Sequence, residues 1–242
     1  MIGLILGSYG FTQMLIRIPL GIYSDRINKR KIFVIIGILL SLISTIGMWF
    51  SQTPILLLIF RALAGASAAT WVSFTVLFSS YFKKDDTSHA IGIINASNKS
   101  GQVVGMLLGG IIAQSLGQQF PFLLATAGAI IGLILSLNVD EKNNVNHKAI
   151  TFKEIIKVAK NRSLLTVSFL AILMMMISHS TTFGFIPVAA KNLGATSFHL
   201  GLLTTVTTVP AVLSSYLSGS YFSQRIGEKN TVTTGFILLA FS

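Results

Sequence analysis

The chain has 242 residues, of which 52% are hydrophobic and only 10% are charged, and its mean hydropathy is +0.75. An ordinary soluble domain has about 25% charged residues, so this composition excludes a soluble globule and indicates an integral membrane protein. The formal net charge is +11, but the basic residues fall in short loops between apolar segments, which favours membrane orientation over nucleic-acid binding.

Seven apolar segments are long enough for membrane-crossing helices, at about 20 residues per crossing. They cover residues 2–22, 31–50, 54–81, 90–116, 120–138, 164–190 and 198–222. An eighth segment begins near residue 231 and stops at Ser242, too soon to cross. The expected fold is all-α, a polytopic membrane helix bundle with about seven complete transmembrane helices and a truncated eighth.

The basic residues alternate between connections, which sets the expected orientation. The first, third, fifth and seventh connections carry 14 of the 18 bases, whereas the even connections carry only Lys191. Cytoplasmic loops are enriched in Lys and Arg, so the charged loops are expected in the cytoplasm, in a multi-pass protein of the cell membrane with Met1 outside. A chain that starts outside with a bare helix suggests a missing preceding helix, so we expect a fragment cut at both ends.

The longest connection, residues 139–163, divides the chain into two membrane halves, 1–138 and 164–242. Its second half spaces apolar residues at helical intervals opposite three lysines. This pattern predicts an amphipathic helix at the membrane interface, although a plain solvated linker is the simpler alternative.

The first charged loop, GIYSDRINKRK, covers residues 21–31 and returns later in the chain. A shift of 199 residues aligns it with SYFSQRIGEK, residues 220–229, which carries Gln224, Arg225 and Lys229. An even number of crossings separates the copies, so both are expected on the same membrane side. Internal repeats of this size are typical of secondary transporters.

Two further motifs lie within predicted helices. In RALAGASAA, Arg61 and Gly65 are one helical turn apart on one face. In GQVVGMLLGG, a ridge of small residues recurs every four positions and suits close helix packing. The ridge consists of Gly101, Gly105 and Gly109 at that spacing, with Gly110 directly after the last of them.

Together with the charged loop, these motifs resemble those of the major facilitator superfamily. The loop signature is matched by Gly21, Asp25, Arg26, Arg30 and Lys31. Asn28 replaces the usual second glycine of the signature, and Asn also tolerates a left-handed turn. The glycine motif is similar to that of the drug/proton antiporters, with Met106 where their proline stands.

The resemblance implies helices two to nine of a twelve-helix fold in which two halves rock about a central site. It implies that Asp25 caps a helix of the opposite half, the family's eleventh, while Arg26 and Arg30 take part in an ionic lock. That helix is not in this sequence, and Gln224 stands at the position equivalent to Asp25. The glycine ridge would seal the boundary between the two halves against ion leak, although ordinary helix packing also explains the ridge.

Four polar residues share one face of the predicted fourth helix: Asn95, Asn98, Lys99 and Gln102. Because polar groups in hydrocarbon are costly, this face is expected to line a watered cavity on the transport path together with Arg61. Lys99 is the favoured substrate contact, and the alternative is a lysine that snorkels to the interface.

His179 lies near the middle of a predicted helix among Ser and Thr residues. A histidine can titrate near neutral pH, which suits proton coupling, but a static interhelical hydrogen bond is the commoner role. Gly184 and Pro187 predict a kink just beyond it. None of the seven acids lies deep in a predicted helix, so the coupling ion stays open.

The residues and the resemblance lead to one functional hypothesis. It is a secondary transporter that exports small amphipathic, drug-like solutes, with protons as the candidate coupling ion. The alternatives are an uptake permease for a small metabolite or sugar, and a truncated membrane protein that does not transport. The sequence lacks enzyme signatures, so no catalytic residue, cofactor or metal is expected, and the partners are a small-molecule substrate and lipid, with the protein a monomer by resemblance.

Overall fold

The computed structural model describes residues 1–83, 86–141 and 160–240. Within these ranges the long elements are all helices, which confirms the all-α prediction. The α-helices are α1 (Ile2–Ile27), α2 (Arg30–Phe50), α3 (Pro54–Ala69), α4 (Trp71–Ser79), α5 (Thr87–Ser115), α6 (Phe120–Leu137), α7 (Arg162–His179), α8 (Ile186–Asn192), α9 (Ser197–Leu217) and α10 (Ser223–Ala240). Two π-helical segments, Ser180–Phe185 and Ser218–Phe222, join α7 to α8 and α9 to α10.

Four helical segments of the described chain are long and apolar enough to cross a membrane: α2, the combined α3 and α4, α6, and α9. Helices α1 and α5 have 26 and 29 residues and so also have the length to cross. Helix α7 contributes a shorter apolar segment, Arg162–Ile177. Large apolar side chains are exposed on most of these helices, as expected of a surface solvated by lipid tails.

Several helix ends are set by single residues with capping chemistry. The side chains of Thr53 and Asn161 accept hydrogen bonds from backbone N–H groups at the start of α3 and α7. Pro54 follows Thr53 at a position where a missing N–H costs nothing. Asn28 ends α1 in the left-handed conformation, at φ 53° and ψ 29°, as the sequence predicts for the residue that replaces a glycine.

The helix predicted over residues 54–81 is divided in two at Thr70. The hydroxyl of Thr70 donates a hydrogen bond of 2.7 Å to the carbonyl of Ser67, three residues earlier. Such a bond competes with the regular helix ladder and bends the chain. Helices α3 and α4 therefore continue one crossing with a local break.

The helix predicted over residues 164–190 is interrupted by the π-helical segment Ser180–Phe185. Gly184 lies within that segment, and Pro187 stands in the first turn of α8. The widened turn falls where these two residues predict a kink, because π-bulges are one way in which a helix changes direction.

Helices α1 and α3 cross closely at Gly65. A Cβ atom at this position would overlap the backbone carbonyl of Tyr9. The hydroxyl of Ser8 donates to the carbonyl of Leu58 at 3.5 Å, on the same pair of helices. The glycine is required because only a residue without a side chain lets the two backbones approach this far.

The buried apolar residues lie where α2, α3, α4 and α5 meet: Phe33, Val34, Met48, Ala66, Ala69, Leu77, Ala90 and Ile94. Two serine hydroxyls in this region donate to carbonyls of the neighbouring helix, whereas the buried Ser73 hydroxyl has no partner among the described residues. Ser44 donates to the carbonyl of Phe60 at 2.7 Å, and Ser67 donates to the carbonyl of Gly37 at 2.7 Å. These bonds tie α2 to α3 without leaving polar groups open to lipid.

Helix α5 packs against helices that follow residues 142–159, which lie outside the described part of the chain. Among described helix pairs with more than marginal contact, those that bridge this gap are α5 with α9 and α5 with the π-helical segment that follows α9. We refer to this contact as the seam. The amphipathic helix predicted within 139–163 falls mainly on residues outside the described part, and the division into 1–138 and 164–242 stays a prediction.

The Gly65 crossing gives a test of this packing. We expect Gly65→Ala to lower the melting temperature of the purified protein, because the added methyl group forces α1 and α3 apart, at a cost of about 1–3 kcal/mol. Gly128→Ala is the matched control, since a Cβ atom at Gly128 meets no atom within 4 Å. Equal melting temperatures for the two variants would contradict the close crossing.

Candidate functional site

The charged loop between α1 and α2 is closed by an ion pair. The Arg30 guanidinium donates a hydrogen bond of 2.7 Å to the Asp25 carboxylate, and their side chains are 13% and 35% exposed. The left-handed turn at Asn28 brings the two residues together. Arg26 is exposed and makes no ion pair with the described residues, and a Cβ atom at Gly21 would meet open space.

The same loop is tied to the end of α6. The carboxylate of Glu141 accepts hydrogen bonds from the backbone N–H groups of Arg30 and Lys31, the first two residues of α2. The Lys31 ammonium in turn donates to the carbonyl of Leu137, the last residue of α6, at 2.8 Å. Each contact joins a charge to the helix end of opposite polarity, which is the favourable arrangement for a helix dipole.

The second copy of the loop lies at the start of α10 and shares a backbone feature with the first. The 199-residue shift places Asn28 on Gly227, and both residues have a positive φ, 53° and 81°. The residues before 231, predicted as a loop, instead form helical turns at the start of α10. These turns are interrupted at Gly227, whose φ and ψ are not helical. Arg225 lies over the ring of Tyr221 at 4.5 Å from its centroid.

Gln224 and Lys229 of the second copy lie on either side of this break and are both exposed. The second copy contains no acid at the position equivalent to Asp25, so an ion pair like that of Asp25 with Arg30 cannot form from the equivalent residues. The two copies therefore share a positive φ but neither the turn, since ψ is 29° at Asn28 and 157° at Gly227, nor the charge pairing.

Arg61 lies inside the bundle against an aromatic ring. Its guanidinium carbon is 5.1 Å from the centroid of the Tyr9 ring, within the range of a cation–π interaction. The Arg61 Nε–H is buried and has no hydrogen-bond acceptor among the described residues. The close crossing at Gly65 brings α1, and with it Tyr9, onto Arg61.

The four polar residues predicted to share a face all lie on α5. The Lys99 ammonium donates to the side-chain oxygen of Gln102 at 3.3 Å, so these two form a local pair. Lys99 and Asn95 are half-buried, and Asn98 is exposed. Among the described helices, α3 and α5 have at most marginal contact. Arg61 on α3 and Lys99 on α5 therefore lie in different helix–helix contacts.

The glycine ridge meets the partner helix at one end only. A Cβ atom at Gly110 would lie 3.2 Å from the Cα of Gly201, and one at Gly201 would lie 2.7 Å from the carbonyl oxygen of Met106. By contrast, Gly101 and Gly105 face open space, and Gly109 has only a distant neighbour. In the seam, Gly110 and Gly201 are therefore the two glycines at which each helix comes close to the backbone of the other.

A cavity of about 440 Å³ lies along the seam. Its walls include Gly105, Gly109 and Leu200, and Lys191 and Gln118 contribute polar groups. Pockets that hold drug-sized ligands have volumes of about 300–1,000 Å³ and mainly apolar walls with a few polar groups. The cavity has the size and lining for a small amphipathic molecule.

His179 ends α7, immediately before the first π-helical segment. The side chain of His179 lies outside the described part of the structure. π-Helical segments are frequent at functional sites, and this one contains Gly184. His179 lies next to this segment and therefore stays a candidate for proton coupling.

Several residues that contact distant parts of the chain were not selected from the sequence: Tyr9, Glu141, Gly201, and Gln114 with Thr196, which are hydrogen-bonded to each other across the seam. Gly201 is an isolated glycine in an apolar helix, and only its partner Gly110 reveals its role. Gln114 and Glu141 lie near helix ends, where polar residues are common, so the sequence does not distinguish them from ordinary loop residues. The pattern S/T-x-x-H at Thr196 was the one detectable signal, since threonine is a frequent N-cap residue.

Comparison with known proteins agrees with the motifs. The model of the Major Facilitator Superfamily matches residues 1–242 of the chain. An uncharacterized MFS-type transporter of Methanocaldococcus jannaschii is 26% identical over 234 residues, covering 92% of this chain and 59% of the relative. Multidrug resistance protein 1 of Bacillus subtilis is 25% identical over 245 residues, covering 98% and 61%.

A third relative, an uncharacterized transporter of Buchnera aphidicola, is 30% identical over 135 residues, which cover 56% of this chain and 34% of the relative. The chain thus spans about half the length of the relatives that it matches. The similarity concerns the part of those proteins that corresponds to these residues.

The contact of Arg61 with Tyr9 can be measured by a double-mutant cycle. We expect Tyr9→Leu and Arg61→Gln to be non-additive in the free energy of unfolding, with a coupling of about 0.5–2 kcal/mol, the range of cation–π pairs. Tyr9→Phe should keep most of the coupling because the ring face is retained. Strict additivity of Tyr9→Leu and Arg61→Gln would show that the ring and the guanidinium do not interact.

Proposed function

Because the chain belongs to the major facilitator superfamily, we propose that it acts in a secondary transporter that works by alternating access and exports small amphipathic, drug-like solutes. The similarity to a multidrug resistance protein over 98% of the chain supports export over uptake. A multi-drug resistance efflux pump PmrA homolog of Lactococcus lactis, 23% identical over 84% of this chain, adds to that support.

The seam carries this proposal. Residues 1–138 and 164–242 belong to the two halves, and the halves move relative to each other across α5 and α9. Gly110 and Gly201 give a contact with no side chains between the backbones, on which one helix can tilt against the other. Buried Thr204, Thr205 and Thr208 satisfy their hydroxyls on carbonyls of α9 itself, so sliding of α9 breaks none of these bonds.

The solute passes along the seam in this proposal. The cavity of about 440 Å³ receives the apolar part of the solute, and the pair of Lys99 with Gln102 provides polar contacts on the same helix. Asn95 and Asn98 extend that polar face. Arg61 offers a donor on a separate helix, α3, through its buried Nε–H, which has no acceptor in the part of the chain that the structure describes.

Orientation and coupling complete the proposal. The charged loops lie in the cytoplasm, because Lys and Arg are retained on that side of the membrane. Protons drive export, with His179 as the candidate group in this chain, and the protein acts as a monomer. Two described acids near helix ends, Asp25 and Glu141, serve the gate rather than the proton path.

Dye transport tests the function directly. The purified chain in proteoliposomes with an imposed pH gradient should move a cationic amphipathic dye against its concentration gradient. Sugar uptake without dye movement would contradict the proposed export and support the alternative of an uptake permease. Absence of any gradient-driven flux would favour a membrane protein that does not transport.

The charged loop should matter for transport more than for folding. We expect Asp25→Asn to insert and melt like the wild type but to lower dye export by about fivefold or more, because the pair with Arg30 contributes to the difference between gate states. Asp140→Asn is the matched control, since Asp140 is an exposed acid at the same end of the bundle. Unchanged export by the Asp25 variant would remove the loop from the gate.

A further inference from the structure

The seam carries a second contact at the end of α5. Successive crossings run in opposite directions, so this end lies opposite the Asp25 loop. Here the side-chain oxygen of Gln114 accepts hydrogen bonds from the backbone N–H of Phe198 and from the hydroxyl of Thr196, both at 3.1 Å. A residue of α5 thus binds the first turn of α9 directly.

The first turn of α9 needs this acceptor. Every helix starts with N–H groups that have no partner within the helix. In α9 the N–H of His199 is satisfied by the Thr196 hydroxyl at 3.4 Å, and the N–H of Leu200 by the Thr196 carbonyl at 3.0 Å. The N–H of Phe198 is satisfied by Gln114.

The chemistry of this contact fixes the orientation of the glutamine. A backbone N–H can only donate, so the atom of Gln114 that faces Phe198 must be the amide oxygen. The Thr196 hydroxyl lies between Gln114 Oε1 and His199 Nδ1, at 3.1 and 2.9 Å.

We propose that Gln114 is a positioning residue that caps α9 from across the seam and clamps α5 to α9 at this end of the bundle. Gln114 is about one helical turn beyond Gly110, one of the two glycines that meet the partner backbone in the seam, so the clamp acts next to the pivot. In the transporter proposed above, the clamp holds this end of the seam closed, and only that gating role rests on the proposed function.

Two variants at one position separate the cap from the rest of the residue. Gln114→Leu keeps the approximate volume and removes the acceptor, whereas Gln114→Glu keeps an acceptor whose charge suits a helix N-terminus. Gln118→Leu is the matched control, because Gln118 lines the neighbouring cavity and makes no hydrogen bond to α9. All variants are made in the whole chain.

Hydrogen exchange detects the cap without a transport assay. In peptides that cover residues 196–200, Gln114→Leu should raise the amide exchange rate by roughly fivefold, as expected for one lost hydrogen bond. Gln114→Glu and Gln118→Leu should exchange like the wild type. Wild-type exchange in Gln114→Leu would overturn the cap.

Spin labels detect the clamp. The chain has no cysteine, so labels at Ser115→Cys and Leu193→Cys report this end of the seam alone. Gln114→Leu should shift the label-to-label distances to longer values, and Gln114→Glu should not. Faster exchange with unchanged distances would keep the cap and overturn the clamp, and both measurements give their answer even if the wild type moves no dye.

Discussion

The contact between Gly110 and Gly201 is the constraint on which the arrangement of the described helices depends. It lets α5 and α9 meet backbone to backbone, and α5 is the helix through which the residues before and after the 142–159 gap pack together. Lipid gives helices no hydrophobic reason to associate, so such close packing must supply the attraction. The cavity, the Gln114 contact and the polar face of α5 all lie on the same helix and move with it.

The opposite end of the bundle is organised by charge. Glu141 binds the start of α2, Lys31 binds the end of α6, and Arg30 pairs with Asp25, so one short loop is connected to three helix ends. Tyr81 extends this set by donating its hydroxyl to the carbonyl of Asp140. The contacts of Glu141 and Lys31 join α2 to α6 at this end, and in the proposed transporter this connected loop forms part of the gate.

The helical segments, the turn at Asn28 and an irregular helix near Gly184 could be predicted because each depends on local composition and backbone preference. The family followed from short motifs with fixed spacing. What could not be predicted were pairings between distant residues: Tyr9 with Arg61, Gln114 with Phe198, and Glu141 with the start of α2. Glycine spacing predicted a ridge from Gly101 to Gly110, but spacing alone does not say where the partner helix touches it, and that contact needs Gly201 on the other side.

The claim that the two halves rock about the Gly110–Gly201 contact is tested most directly by distances at both ends of the seam. Spin labels would be placed in the cysteine-free chain as two pairs, Ser115 with Leu193 at the Gln114 end and Thr87 with Tyr221 at the other. On addition of dye and a pH gradient, the account predicts that one distance lengthens while the other shortens. Changes of the same sign at both ends, or no change at either, would contradict it.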